Sequence, residues 1–87
     1  MSRFKLPLDN MKEEKRLSEL SVGECAVILG LDEKCGMRRR FLDVGFMPGT
    51  QITCIGKSPF GDPRAYSLRG YVIAVRQKDA EDVIINQ

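Results

Sequence analysis

The stretch "SPFGDPRAYSLRGYVIAVR", residues 58–76, decides how this chain folds. It opens on a tight reversal built from Pro59, Gly61, Asp62 and Pro63. Gly61 supplies a backbone that tolerates positive φ, and the Asp62 side chain can bond nearby backbone and cap the turn. Pro63 cannot donate into a ladder, so it marks a sheet edge or the start of a strand. Residues 64–68 then alternate, with Ala65 and Ser67 facing one way and Tyr66 and Leu68 the other. Gly70 allows a second sharp corner, and "YVIAVR" returns as a strand that is apolar on both faces. An open sheet would leave one of those faces wet. The pattern therefore predicts the crowded interior of a small closed barrel.

Working outward toward the N-terminus, "MPGT" (residues 47–50) is a turn. Pro48 sets φ at its first central position, and Gly49 tolerates the positive φ that a type II turn needs at the second. "TQITCIGKS" (50–58) follows as a strand, with Ile52 and Cys54 on one face and Thr53 and Ile55 on the other. Before the turn, "DEKCGMRRRFLDVGF" (32–46) changes period. Met37, Phe41 and Val44 share a helical face, and Leu42 widens it. Arg39 and Asp43 have the spacing of an ion pair on the wet side. Gly45 stands where a left-handed C-cap belongs, with Phe46 placed to fold back on the last turn. Gly36 weakens the start, so about two or three turns are expected. Earlier still, "ECAVILGL" (24–31) reads as a buried strand, because both of its alternating sets are apolar. Leu17 and Leu20 share one helical turn that plugs an end of the core.

Toward the C-terminus, "QKDAED" (77–82) permits one helical turn and "VIIN" (83–86) closes as a strand. Residues 1–16, ending in "DNMKEEKR", are polar and highly charged and read as a flexible extension. Residues 17–87 form the domain. The expected fold is mainly β: a small barrel of about five strands, with one short helix inserted after the first strand and a helical turn near each end.

The composition narrows the function. The 87 residues are 43% hydrophobic and 30% charged, which suits one small globular domain. A net charge of +2 does not demand a polyanionic partner. No stretch approaches the roughly 18 apolar residues of a membrane span, and no signal peptide is legible, so a cytoplasmic protein that is not itself membrane-embedded is expected. The three cysteines, Cys25, Cys35 and Cys54, are odd in number and far apart, which is no disulfide framework. Cys25 and Cys54 fall in apolar strand patterns and read as core thiols; Cys35 reads as the more exposed one. With no histidine, the usual general base near neutral pH is missing, and a structural zinc site lacks its donors. No enzyme activity and no cofactor are expected. Cys35 with Asp32 and Glu33 is a weak surface site for a metal at most.

Taken together, "LSEL" with its following "GE", "RRRFLDVGFMPGT", "SPFGDPRAYSLRGYVIAVR" and the closing "VIIN" resemble the FeoA family, the ferrous iron transport protein A domain. The resemblance runs from about Leu17 to Asn86. It implies an SH3-like β-barrel. It also implies a small cytosolic accessory of bacterial ferrous iron uptake, one that binds and modulates a large membrane permease carrying a cytosolic G-protein domain. The same barrel resembles the C-terminal module of metal-dependent repressors. Residues 1–16 are too few for a DNA-reading domain before it, so a free-standing module is expected.

Partner contacts are expected on the helix and the corner loops: Leu31, Arg38, Phe46, Phe60 and Arg69. Each also has a purely structural use, since Phe46 can staple the helix end, Phe60 can cover a barrel mouth and Arg69 can pin a corner. Gly45, Pro48, Gly49, Pro59, Gly61, Asp62, Pro63 and Gly70 are expected to build the turns. Tyr66 and Tyr71 are expected in the barrel wall. Arg38, Arg39 and Arg40 point about 100° apart around a helix and make no flat contact, so no nucleic acid is expected. An RNA-binding small barrel is the competing class. Weak self-association is compatible with the size of the domain.

Overall fold

The computed structural model describes residues 14–87. The chain runs as β1 (Glu14–Arg16), a 3-10 turn (Leu17–Glu19), β2 (Cys25–Leu31), α1 (Arg38–Asp43), β3 (Gln51–Lys57), β4 (Arg64–Leu68), β5 (Tyr71–Val75), α2 (Gln77–Ala80) and β6 (Val83–Asn86). All six strands join one antiparallel sheet in the order β1-β6-β2-β3-β4-β5. Breaks in register fall between Ile28 and Gly30 and between Cys54 and Gly56. Such bulges bend a strand and raise its twist, which curls a short sheet around its own core. The result is the SH3-like barrel.

Alternation fills that core. Ala26 and Ile28, Ile52 and Cys54, Tyr66 and Leu68, Val75, and Val83 and Ile85 point inward from five strands. Leu17 and Leu20 plug one end, and Phe41, Phe46 and Ala80 complete the cluster. Below about 100 residues a domain keeps only a modest core, so each of these side chains carries a large share of the stability.

The turns follow their residues. Thr50 N–H donates to Met47 O at 3.0 Å across Pro48–Gly49, where Gly49 has φ +93°. Arg69 and Gly70 both have positive φ, at 51° and 84°, between the paired residues Leu68 and Tyr71. That is the two-residue hairpin turn whose own twist matches the strands.

Several expectations need correction. The polar segment was expected to stand apart through Arg16. Its residues 14–16 instead pair with β6, Glu14 opposite Asn86, so the sheet gains a sixth strand and α1 follows the second strand. Pairing there is carried by backbone and by charged side chains, which leave no apolar pattern to read. Residues 1–13 of the expected extension lie outside the described residues. The helix is six residues long rather than two or three turns. Cys25 is exposed and Cys35 buried, the reverse of the expectation. Both faces of β2 are apolar, so alternation alone left its parity open, and Ala26 and Ile28 take the inside. A tight turn, Cys35 N–H to Asp32 O at 3.0 Å, tucks Cys35 under.

Strand β5 is an edge rather than an interior strand. Tyr71 and Val72 are 61% and 68% exposed, and only Val75 is buried.

Candidate functional site

Two of the surface features lie at opposite ends of the five-residue strand β4 and so roughly 16 Å apart along it.

The first is the Ser58–Pro63 turn. Gly61 N–H donates to Ser58 O at 2.8 Å, and Ser58 N–H donates to Pro63 O at 3.1 Å. Gly61 sits at φ +87° and the Asp62–Pro63 peptide is cis. Asp62 does not bond its own turn. Its Oδ1 accepts the Gln77 N–H at 2.9 Å, which ties the turn to the first residue of α2. Phe60 was expected to cover a barrel mouth. Instead it is 95% exposed, an aromatic ring on a well-braced turn.

The second place is α1 and its surroundings. Phe41 faces inward, and the helix then closes by a Schellman motif. Gly45, at φ +106°, donates to Leu42 O at 3.1 Å, and Phe46 N–H donates to Phe41 O at 2.9 Å. The Phe46 ring stacks on Phe41 with centroids 4.6 Å apart and planes 12° from parallel. Phe46 is thus fully buried and offers a partner no surface, which corrects its place among the contacts. Leu31 is half-buried and packs against the core, leaving little of it to touch.

Arg38 is exposed, and its Nη2 donates to Asp32 O at 2.8 Å. The Arg69 side chain lies against Gly45, so a guanidinium from the β4–β5 turn reaches the C-terminal end of α1. Arg39 and Arg40 are exposed, and the expected Arg39–Asp43 pair is not made. Leu42 was expected to widen the buried face. It is 42% exposed, because it lies about 100° around the helix from Phe41, and Met47 just beyond is 50% exposed.

A third surface was missed in the sequence. Across the outer side of the sheet, Cys25, Thr53, Ser67 and Val72 stand opposite one another in register. Val27 and Gln51 form the next row, and none of these six carries charge. The signal is the second apolar set of β2 and β5, which polarity alone does not distinguish from an interior set.

The metal reading finds no cage. Cys35 is buried, and Asp32 is engaged by Lys34 N–H at 3.0 Å and by Arg16 Nη1 at 3.0 Å. Those two bonds hold the Asp32 carboxyl below its ordinary range, despite some opposing burial. Among the described residues no three potential donors lie together. Likewise, no helix among them is long and apolar enough to cross a membrane.

Comparison with known proteins places this geometry. The FeoA domain matches residues 15–87. A Fe(2+) transport protein A/Fe(2+) transporter FeoB fusion protein of Porphyromonas gingivalis is 37% identical over 68 residues, covering 78% of this chain but 8% of that protein. The chain therefore spans only a small part of that relative. Among solved structures, an FeoA-like protein from Clostridium acetobutylicum is 32% identical with a TM-score of 0.78, covering 85% of this chain and 86% of that one. Stenotrophomonas maltophilia FeoA complexed with zinc is 25% identical with a TM-score of 0.72, covering 82% and 88%. It is described as a prokaryotic SH3 domain protein and a candidate activating factor for bacterial ferrous iron transport.

Proposed function

This chain belongs to the FeoA domain family, and from that premise we propose that it is a cytoplasmic accessory of ferrous iron uptake. It acts by binding the cytosolic part of the membrane ferrous iron permease and modulating it, with ferrous iron as the permease's cargo. One observation carries the reading: in the Porphyromonas gingivalis relative, transport protein A and the transporter share one polypeptide. Fusion holds two modules at high effective concentration, which is useful where they act on each other.

The chain's own chemistry agrees with a binding role. It has no histidine to act as a base near neutral pH. What it presents is a braced aromatic at Phe60, an arginine-rich helix and an uncharged patch on the outer side of the sheet. Small barrels commonly recognise partners through such grooves, edges and loops.

The test is ferrous iron uptake by cells lacking this chain, with the permease kept at its normal level. Uptake is expected to fall several-fold and to return with the wild-type chain. Unchanged uptake would refute the reading.

A further inference from the structure

We propose that the arginines around α1 receive an acidic segment of the permease's cytosolic part, with an apolar residue of that segment seated against Leu42. This rests on the function proposed above and names the chemistry of the contact.

Charge is the first ground. Arg38, Arg39 and Arg40 lie on α1 and Arg69 reaches its C-terminal end, against the single carboxylate of Asp43 on the helix. Among the described residues the one ion pair is Arg16–Asp32, so no carboxylate of the described residues pairs with any of these four guanidinium groups. Two are held in place, Arg38 by the Asp32 carbonyl and Arg69 by its packing on Gly45. Guanidinium forks held in this way lose little freedom when they grip a carboxylate through two parallel bonds.

Shape is the second ground. Two open concavities flank the helix. One is lined by Arg38, Arg39, Leu42 and Asp43. The other adds Met37 and Arg40 and shares Arg39 and Asp43 with the first. Leu42 is an exposed aliphatic side chain among these charges, and Met47 lies just past the helix end. An apolar centre within a polar rim is the usual anatomy of a protein contact. A nucleic acid fits less well. Single strands are gripped by stacking bases on aromatic rings, and the one aromatic residue of α1, Phe41, is buried.

The test uses the full chain and fluorescence anisotropy. The probes are labelled peptides tiling the cytosolic part of the permease and a short uridine RNA; the intact cytosolic part is measured in parallel. The variants are Arg39→Glu with Arg40→Glu, the same pair changed to Lys, Leu42→Ala, and Lys57→Glu as a distant charge control. Both side chains are exposed and outside the core, so the double reversal should fold, which circular dichroism checks.

Acidic peptides are expected to bind, and to bind several-fold more weakly as salt rises from about 50 to about 300 mM. The Glu pair should weaken them at least tenfold, the Lys pair and Leu42→Ala less, and Lys57→Glu should leave them unchanged. Binding confined to peptides without acidic residues, or RNA bound in preference to them, would overturn the proposal. If the intact cytosolic part binds wild type and the Glu pair equally, this contact is wrong and the accessory function stands. If neither the intact part nor any peptide binds, both fall.

Discussion

Gly45 closes α1 at φ +106°, and the Arg69 side chain lies where a Cβ at Gly45 would sit. Arg69 itself has φ +51° in a turn that glycine or asparagine would occupy at less cost. Gly45→Ala is expected to lower stability by about 1–2 kcal/mol from the backbone alone, with a further penalty from overlap. In an Arg69→Gly background the overlap is gone, so the alanine should cost less; urea unfolding of the four proteins measures it. Equal penalties in the two backgrounds would contradict the contact. The need for glycine at position 45 was legible in the sequence, since a helical period ends there. The left-handed Arg69 was not, because nothing in an arginine announces positive φ. Tyr66 makes a second test. Burial pushes its hydroxyl from 10.0 up to about 12, with Cys54 and Asp62 adding to the rise and Arg64 partly offsetting it. The unfolded chain ionises first, so the stability tied to this group is intact below about pH 10 and is lost as pH climbs toward about 12. Tyr66→Phe is expected to flatten that loss between urea midpoints at about pH 8 and about pH 11. An unchanged slope would argue against it.

At the level of elements, the two phenylalanines on either side of β3 have opposite duties. Phe46→Ala removes a buried ring stacked on Phe41 and should cost about 3–5 kcal/mol, enough to unfold much of a small domain. Phe60→Ala removes an exposed ring and should change thermal stability by less than about 0.5 kcal/mol. The fold-back of Phe46 was readable from its place after a glycine cap. The exposure of Phe60 was not, because a turn sequence specifies backbone and leaves the direction of its side chains to the neighbours. Strand β1 escaped for a related reason: its residues are all charged, and its pairing with β6 is a tertiary fact. Arg16 links that strand to Asp32 at 3.0 Å and to the Glu81 carbonyl at 3.3 Å. Arg16→Ala is therefore expected to speed amide exchange along β1 while β2, β3 and β4 keep their protection. Strand β5 shows the limit of the apolar pattern, since a run of five uncharged residues reads alike whether it is enclosed or an edge.

For the whole molecule, the corners carried the fold. Gly49, Gly61 and Gly70 with Pro48, Pro59 and Pro63 set the corners between β2 and β5, and the bulged sheet of such short strands curls around one core with β1 and β5 as its edges. The site was less legible, because a docking surface is made by residues left over after the core is filled. With both strand faces apolar, sequence alone could not say which residues those were. The outcome is a rigid scaffold that offers Phe60 at one end of β4 and a guanidinium cluster at the other. Its central claim is contact with the permease, and biolayer interferometry of the intact chain against the purified cytosolic part of that permease tests it most directly. Saturable binding with a Kd of about 1–100 μM, weakened at least several-fold by Phe60→Ala in a protein of unchanged stability, is the expected result. Absence of saturable binding, or binding that no exposed substitution alters, would contradict the account.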